Sequence, residues 1–97
     1  MAITSIKHKG LKLLFSDGDA SKLQPHLVSK IKRQLVLIEG LRKVPEDLEV
    51  FIGARPHKLQ GELSDFWAIT VSGNYRIIFK FDDLKGEASE IDFIDYH

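Results

Sequence analysis

Phe66-Trp67-Ala68-Ile69-Thr70-Val71-Ser72-Gly73-Asn74-Tyr75-Arg76-Ile77-Ile78-Phe79-Lys80-Phe81 is the stretch that decides the fold. Trp67, Ile69 and Val71 alternate with Ala68, Thr70 and Ser72. After the turn residues Ser72-Gly73-Asn74, Tyr75, Ile77, Phe79 and Phe81 alternate with Arg76, Ile78 and Lys80. A period of two marks a strand with one buried face, and a Gly-Asn pair between two such runs marks a hairpin turn. The stretch predicts a β-hairpin with one strongly apolar face. Neighbouring strand side chains lie on opposite faces, so Arg76 points away from Tyr75, Ile77 and Phe79. An arginine on the uncovered side of a sheet can meet a ligand.

Outward from the hairpin, a second turn at Asp82-Asp83-Leu84-Lys85-Gly86 delivers a last strand ending in Ile91-Asp92-Phe93-Ile94-Asp95-Tyr96-His97. Upstream, a short strand is expected near Ile3 to Lys7. Lys9 to Phe15 then places Leu11, Leu14 and Phe15 on one helix face until Asp17-Gly18-Asp19 breaks it. Pro25 suits the first turn of a second helix, in which Leu27, Ile31, Leu35, Ile38 and Leu41 form one buried stripe opposite Lys30, Arg33 and Glu39. Gly40 and Pro45 mark its end. An acidic link from Glu46 to Glu49 follows, then a short extended piece around His57 to Leu59. The expected architecture is α+β, a single domain over residues 1–97. Two helices pack on the apolar face of a mainly antiparallel sheet whose last three strands are consecutive. Trp67, Tyr75, Phe79, Phe81 and Phe93 are expected in the core.

With 43% hydrophobic and 29% charged residues, the composition is that of a folded domain rather than a disordered chain. The absence of cysteine excludes disulfide frameworks, thiolate nucleophiles and Cys-ligated zinc. Met1 to Gly10 has no apolar core before its basic residues, and no stretch approaches the roughly 18 consecutive apolar residues of a membrane span. A cytoplasmic protein without a membrane is therefore expected. Zero net charge conceals an arrangement: up to Lys43 there are nine Lys or Arg against three Asp or Glu, giving +6, so the remainder carries −6. A basic first half can track a polyanion.

Five ordered pieces carry a resemblance. Ser5-Ile6-Lys7-His8-Lys9-Gly10-Leu11-Lys12-Leu13-Leu14-Phe15, His57-Lys58-Leu59-Gln60-Gly61, Phe66-Trp67-Ala68-Ile69, Asn74-Tyr75-Arg76-Ile77 and Asp95-Tyr96-His97 together resemble the HigB toxins of RelE-type toxin–antitoxin systems. The resemblance implies a small α+β RelE-like fold and a ribosome-dependent endoribonuclease, an mRNA interferase that cleaves mRNA in the A site of the 70S ribosome. It implies inhibition by a HigA-like helix-turn-helix antitoxin, with DNA reached only through that antitoxin, and no cofactor. Residue by residue, it assigns His57, Asp95 and His97 to the cleavage site, Tyr96 to the same cluster and Arg76 to the scissile phosphate. Lys58, Gln60, Lys9 and Lys12 are its RNA-contact candidates. The family commonly has lysine where this chain has Gln60, and glutamine donates a hydrogen bond without bringing charge. In an extended segment Lys58 and Gln60 share a face.

These residue types suit RNA cleavage on chemical grounds. With the 2′-hydroxyl as internal nucleophile, the reaction needs a base, an acid for the departing 5′-oxygen, and a cation for the phosphorane charge. Imidazole serves either proton-transfer role near neutral pH, and arginine holds phosphate oxygens bidentately. Asp95 or His57 is the expected base, His97 the acid, Arg76 the transition-state cation, and Tyr96 an RNA-positioning group. A 2′,3′-cyclic phosphate and a 5′-hydroxyl are the expected ends. No short ligand-spacing motif accompanies the histidines, so no metal is expected. Because His97 is the last residue of the sequence, a carboxy-terminal extension is expected to crowd the site. Two alternatives share the fold: a ParE-like toxin that binds gyrase without cutting RNA, and a decayed toxin that retains only antitoxin binding. Simple structural roles also exist, with Arg76 as an ion-pair partner of Asp92 or Glu90 and Asp95 and His97 as a same-face surface pair.

Overall fold

The computed structural model describes residues 3–95. In chain order it contains helix α1 (Lys9–Asp17), a 3-10 turn (Pro25–Leu27), helix α2 (Val28–Glu39), a 3-10 segment (Glu46–Val50), strand β1 (His57–Lys58), a third 3-10 turn (Gly61–Leu63) and strands β2 (Trp67–Thr70), β3 (Tyr75–Asp82) and β4 (Glu87–Asp95). The strands form one sheet in the order β1-β2-β3-β4, each neighbouring pair antiparallel. Two helices on a sheet with its last three strands consecutive is the expected α+β architecture.

Each helix is bounded by chemistry visible in its sequence. The N–H of Leu11 donates to His8 Nδ1 at 3.2 Å, so an imidazole serves as the N-cap of α1. Gly18 closes that helix at φ 70°, a left-handed conformation glycine adopts without a Cβ clash. Pro25 opens the 3-10 turn ahead of α2 rather than α2 itself. Leu27, Ile31, Leu35, Ile38 and Leu41 are all buried, as the spacing predicts. Gln34 joins this stripe, its Nε2 donating to the Thr70 carbonyl at 2.9 Å and tying α2 to the sheet.

The helix-facing side of the sheet contributes Ile69, Val71, Ile77, Phe79 and Ile91 to the main core, with Trp67, Tyr75, Phe81 and Phe93 half-buried against it. The segment expected to form the first strand runs beside β4 through two parallel bridges, Ile3 with Ala88 and Ile6 with Ile91. Between these bridges β4 carries a bulge: Ile78 faces Asp92 but Lys80 faces Ser89, and Glu90 sits at φ 50°. The extra residue bends the strand. Lys80 Nζ reaches Glu90 Oε2 at 2.9 Å across the bulge, which assigns Glu90 a partner other than Arg76.

The far side of the sheet differs from the alternation in the sequence, which gave the hairpin one strongly apolar face. Phe66, Ala68 and Ile78 are buried there, with Leu59 and Ile94 packed against them. The cause is the chain after β1: Leu59 N donates to Phe66 O at 3.0 Å, folding residues 59–66 back over Ala68 and Ile78. Two outward-facing apolar positions thus acquire a cover, leaving a groove beside it.

Candidate active site

Register assigns the candidate side chains to faces. His57 faces Ala68, Ala68 faces Ile78, and Ile78 faces Asp92, forming one row across four strands. Two residues along, Thr70, Arg76 and Ile94 form the parallel row on the same face. His57 and Arg76 therefore lie on the side of the sheet away from the helices. His57, Lys58, Leu59, Gln60, Leu63 and Ile94 line an open groove of about 370 Å³. Residues 57 and 94, remote in sequence, border the same space.

His57 is exposed but held. Its Nδ1 lies 2.9 Å from the carbonyl oxygen of Arg55, and a carbonyl only accepts, so Nδ1 carries the proton. In the neutral ring the lone pair is then on Nε2, the tautomer a general base requires. Arg55 sits at φ 51°, in the left-handed region that costs a non-glycine residue free energy. That unusual backbone carries the carbonyl that orients the imidazole.

Arg76 is anchored at its own turn. Nη1 donates to the carbonyls of Ser72 at 3.0 Å, Tyr75 at 3.1 Å and Gly73 at 3.3 Å, which ties down the hairpin loop and fixes the guanidinium beside the Ile94 row. Asp95 pairs with Tyr75, in register with the helix-facing residues Ile77 and Phe93. It lies at the opposite face of the sheet end from Arg76. Around it, Tyr75 stacks on Phe93 with centroids 5.1 Å apart, and His8 meets Phe93 edge-on at 5.5 Å. Gln24 Nε2 donates to the Tyr75 hydroxyl at 2.8 Å.

The remaining candidates scatter. Lys58 pairs with Trp67, and its Nζ lies 5.6 Å from the indole centroid, so its charge sits on the face away from His57 even though its chain borders the groove. Gln60 is exposed at the groove. Lys9 is exposed at the start of α1, and Lys12 borders a separate groove with Ile3, Ile6 and Phe15. Tyr96 and His97 lie outside the described residues. Among the described residues no cluster of His, Asp or Glu is arranged to hold a metal ion, and no helix is long and apolar enough to cross a membrane.

The sequence pointed to none of Leu59, Leu63 and Ile94 as site residues, nor to the Arg55 carbonyl. Apolar walls look like core in sequence, and a backbone acceptor has no side-chain signature. A family model described as the RelE-like toxin HigB of type II toxin–antitoxin systems matches residues 4–97. The chain belongs to the HigB family of RelE-like toxins. A curated relative, Endoribonuclease HigB of Proteus vulgaris, is 36% identical over 96 residues, covering 98% of this chain and 99% of that protein. The solved YoeB/ParE toxin from Agrobacterium tumefaciens aligns over 100% of this chain and 99% of that one, with a TM-score of 0.54 and 14% identity, a likeness of fold alone. As a HigB-family toxin of a type II system, the protein has an antitoxin as its partner.

Proposed function

We propose that this HigB-family toxin is an endoribonuclease that cleaves mRNA in the A site of the translating ribosome, inhibiting translation in the cytoplasm until a HigA-like antitoxin restrains it. The observation that carries this reading is the His57 groove, with its Nδ1 anchored on Arg55 O and the end of β4 as its far wall.

In the proposed reaction His57 Nε2 takes the 2′-hydroxyl proton as the 2′-oxygen bonds to phosphorus. Arg76 balances charge on the non-bridging oxygens, and the phosphorus to 5′-oxygen bond breaks as His97 protonates the leaving oxygen. The anchored tautomer and the open-face position favour His57 over Asp95 as base, because Asp95 pairs with Tyr75 in the helix-facing register. Asp95 and Tyr96 are assigned to positioning RNA at the sheet end. Gln60 offers the groove a neutral hydrogen-bond donor in place of a lysine. The name of the Proteus vulgaris relative supports the activity.

Translation in a purified system, followed by mapping of mRNA ends, tests the proposal. Ribosome-dependent cuts bearing 2′,3′-cyclic phosphate and 5′-hydroxyl ends, abolished in His57→Ala and His97→Ala, are expected. Ends with 5′-phosphate overturn the internal-nucleophile mechanism. Intact mRNA with stalled gyrase complexes overturns the nuclease reading altogether.

A further inference from the structure

On the helix-bearing side, Lys30, Arg33, Gln34 and Leu37 of α2, with Val50, Phe51, Ile52 and Ala54, line a second groove of about 170 Å³. This volume accepts one large apolar side chain. Its α2 residues recur at i, i+3, i+4 and i+7, one shoulder of the helix. Beside it, two large apolar side chains stand in water: Ile52 is 94% exposed and Val50 44%. Lys30 and Arg33 stand at the rim, both exposed, and among the described residues neither has an ion-pair partner. Gln34 is only 4% exposed, and its Oε1 is buried without a hydrogen-bond partner among the described residues. A buried acceptor left without a donor is unfavourable.

We propose that this groove is where the antitoxin docks, through an acidic amphipathic segment that lays an apolar side chain against Leu37, Phe51 and Ile52. Carboxylates of that segment reach Lys30 and Arg33. Three observations select a protein segment of this chemistry. Unpaired cations at the rim call for anions. The exposed Val50 and Ile52 call for apolar cover, which a free phosphate or nucleotide does not supply. Lys30, Arg33 and Leu37 also belong to the half of the chain that carries +6. The proposal rests on membership in a toxin–antitoxin family and not on the cleavage mechanism, because no residue of this groove lines the His57 groove.

The test uses this toxin chain with its antitoxin and measures affinity by calorimetry. Lys30→Glu, Arg33→Glu and Ile52→Glu together are expected to weaken binding by about a hundredfold or more, as loss of an anchor and reversal of two facing charges do. Lys85→Glu with Leu84→Glu, on the β3–β4 turn, is expected to leave affinity within about twofold. Circular dichroism and thermal unfolding of the first variant are expected to match wild type, showing that it folds. Unchanged affinity in a folded triple variant overturns the proposal, as does equal weakening by the turn variant. If wild type cleaves no mRNA while the triple variant loses its antitoxin, the nuclease reading fails and the docking site stands. Cleavage by wild type with antitoxin affinity unmoved gives the reverse.

Discussion

At the scale of single residues, His57 owes its tautomer to a backbone group two positions away. The Arg55 carbonyl accepts the hydrogen bond from Nδ1–H, so the ring's basic nitrogen is directed elsewhere without any second acidic side chain. His57→Ala is expected to lower single-turnover cleavage by about 10²–10⁴-fold. Because the residue is exposed, unfolding free energy is expected to stay within about 0.5 kcal/mol of wild type. Asp47 has a purely structural role: its Oδ2 accepts the N–H groups of Arg42 at 2.9 Å and Lys43 at 3.0 Å. The Lys43 amide and then the Arg42 amide hold its carboxyl below the usual range. A depressed carboxyl contributes stability above its unfolded pKa of about 3.9 and loses it as pH falls through the folded value. Thermal unfolding of Asp47→Asn is therefore expected to fall below wild type at pH 7 and to converge with it in acid.

Elements show how far local chemistry reaches. The break after Asp17 is legible because Gly18 takes φ 70°, where any side chain is strained. Gly18→Ala is expected to cost about 1 kcal/mol, a drop of about 4–8 °C in the melting temperature of a domain this size. The hairpin alternation and the α2 stripe were equally readable, since periodicity reports burial directly. What the pattern did not give was the second apolar cluster of Phe66, Ala68 and Ile78. Ile78 reads as an outward position until residues 59–66 fold across it, and that return is set by a long-range backbone bond. Phe79 in the main core is fully buried, so Phe79→Ala is expected to cost about 3–5 kcal/mol in chemical denaturation.

Across the whole molecule, the sheet separates two surfaces. The groove containing His57 and Ile94 lies on the far side, while α2 and its basic shoulder lie on the other. Charge divides along the sequence as +6 and −6, and in the proposed reading a ribosome-binding surface built from the first half neutralises phosphates. Its affinity is expected to fall as salt rises from about 50 to 200 mM, because neutralised phosphates release counterions. Filter binding to purified ribosomes across that range checks this. A flat salt response removes the basic half from the ribosome contact.

By itself the sequence determined the α+β class, both helices, the hairpin and the identity of the ionisable groups, because each follows from periodicity, turn chemistry or side-chain type over a short span. Only the tertiary structure decided which face each group occupies. Strand register placed His57 and Arg76 together on one side and Asp95 in the helix-facing register, and set Lys58 over Trp67 instead of beside His57. A side-chain period of two turns each single-residue step of register into a change of face. Register is fixed by pairing between strands far apart in the chain, so it is not written in any one segment.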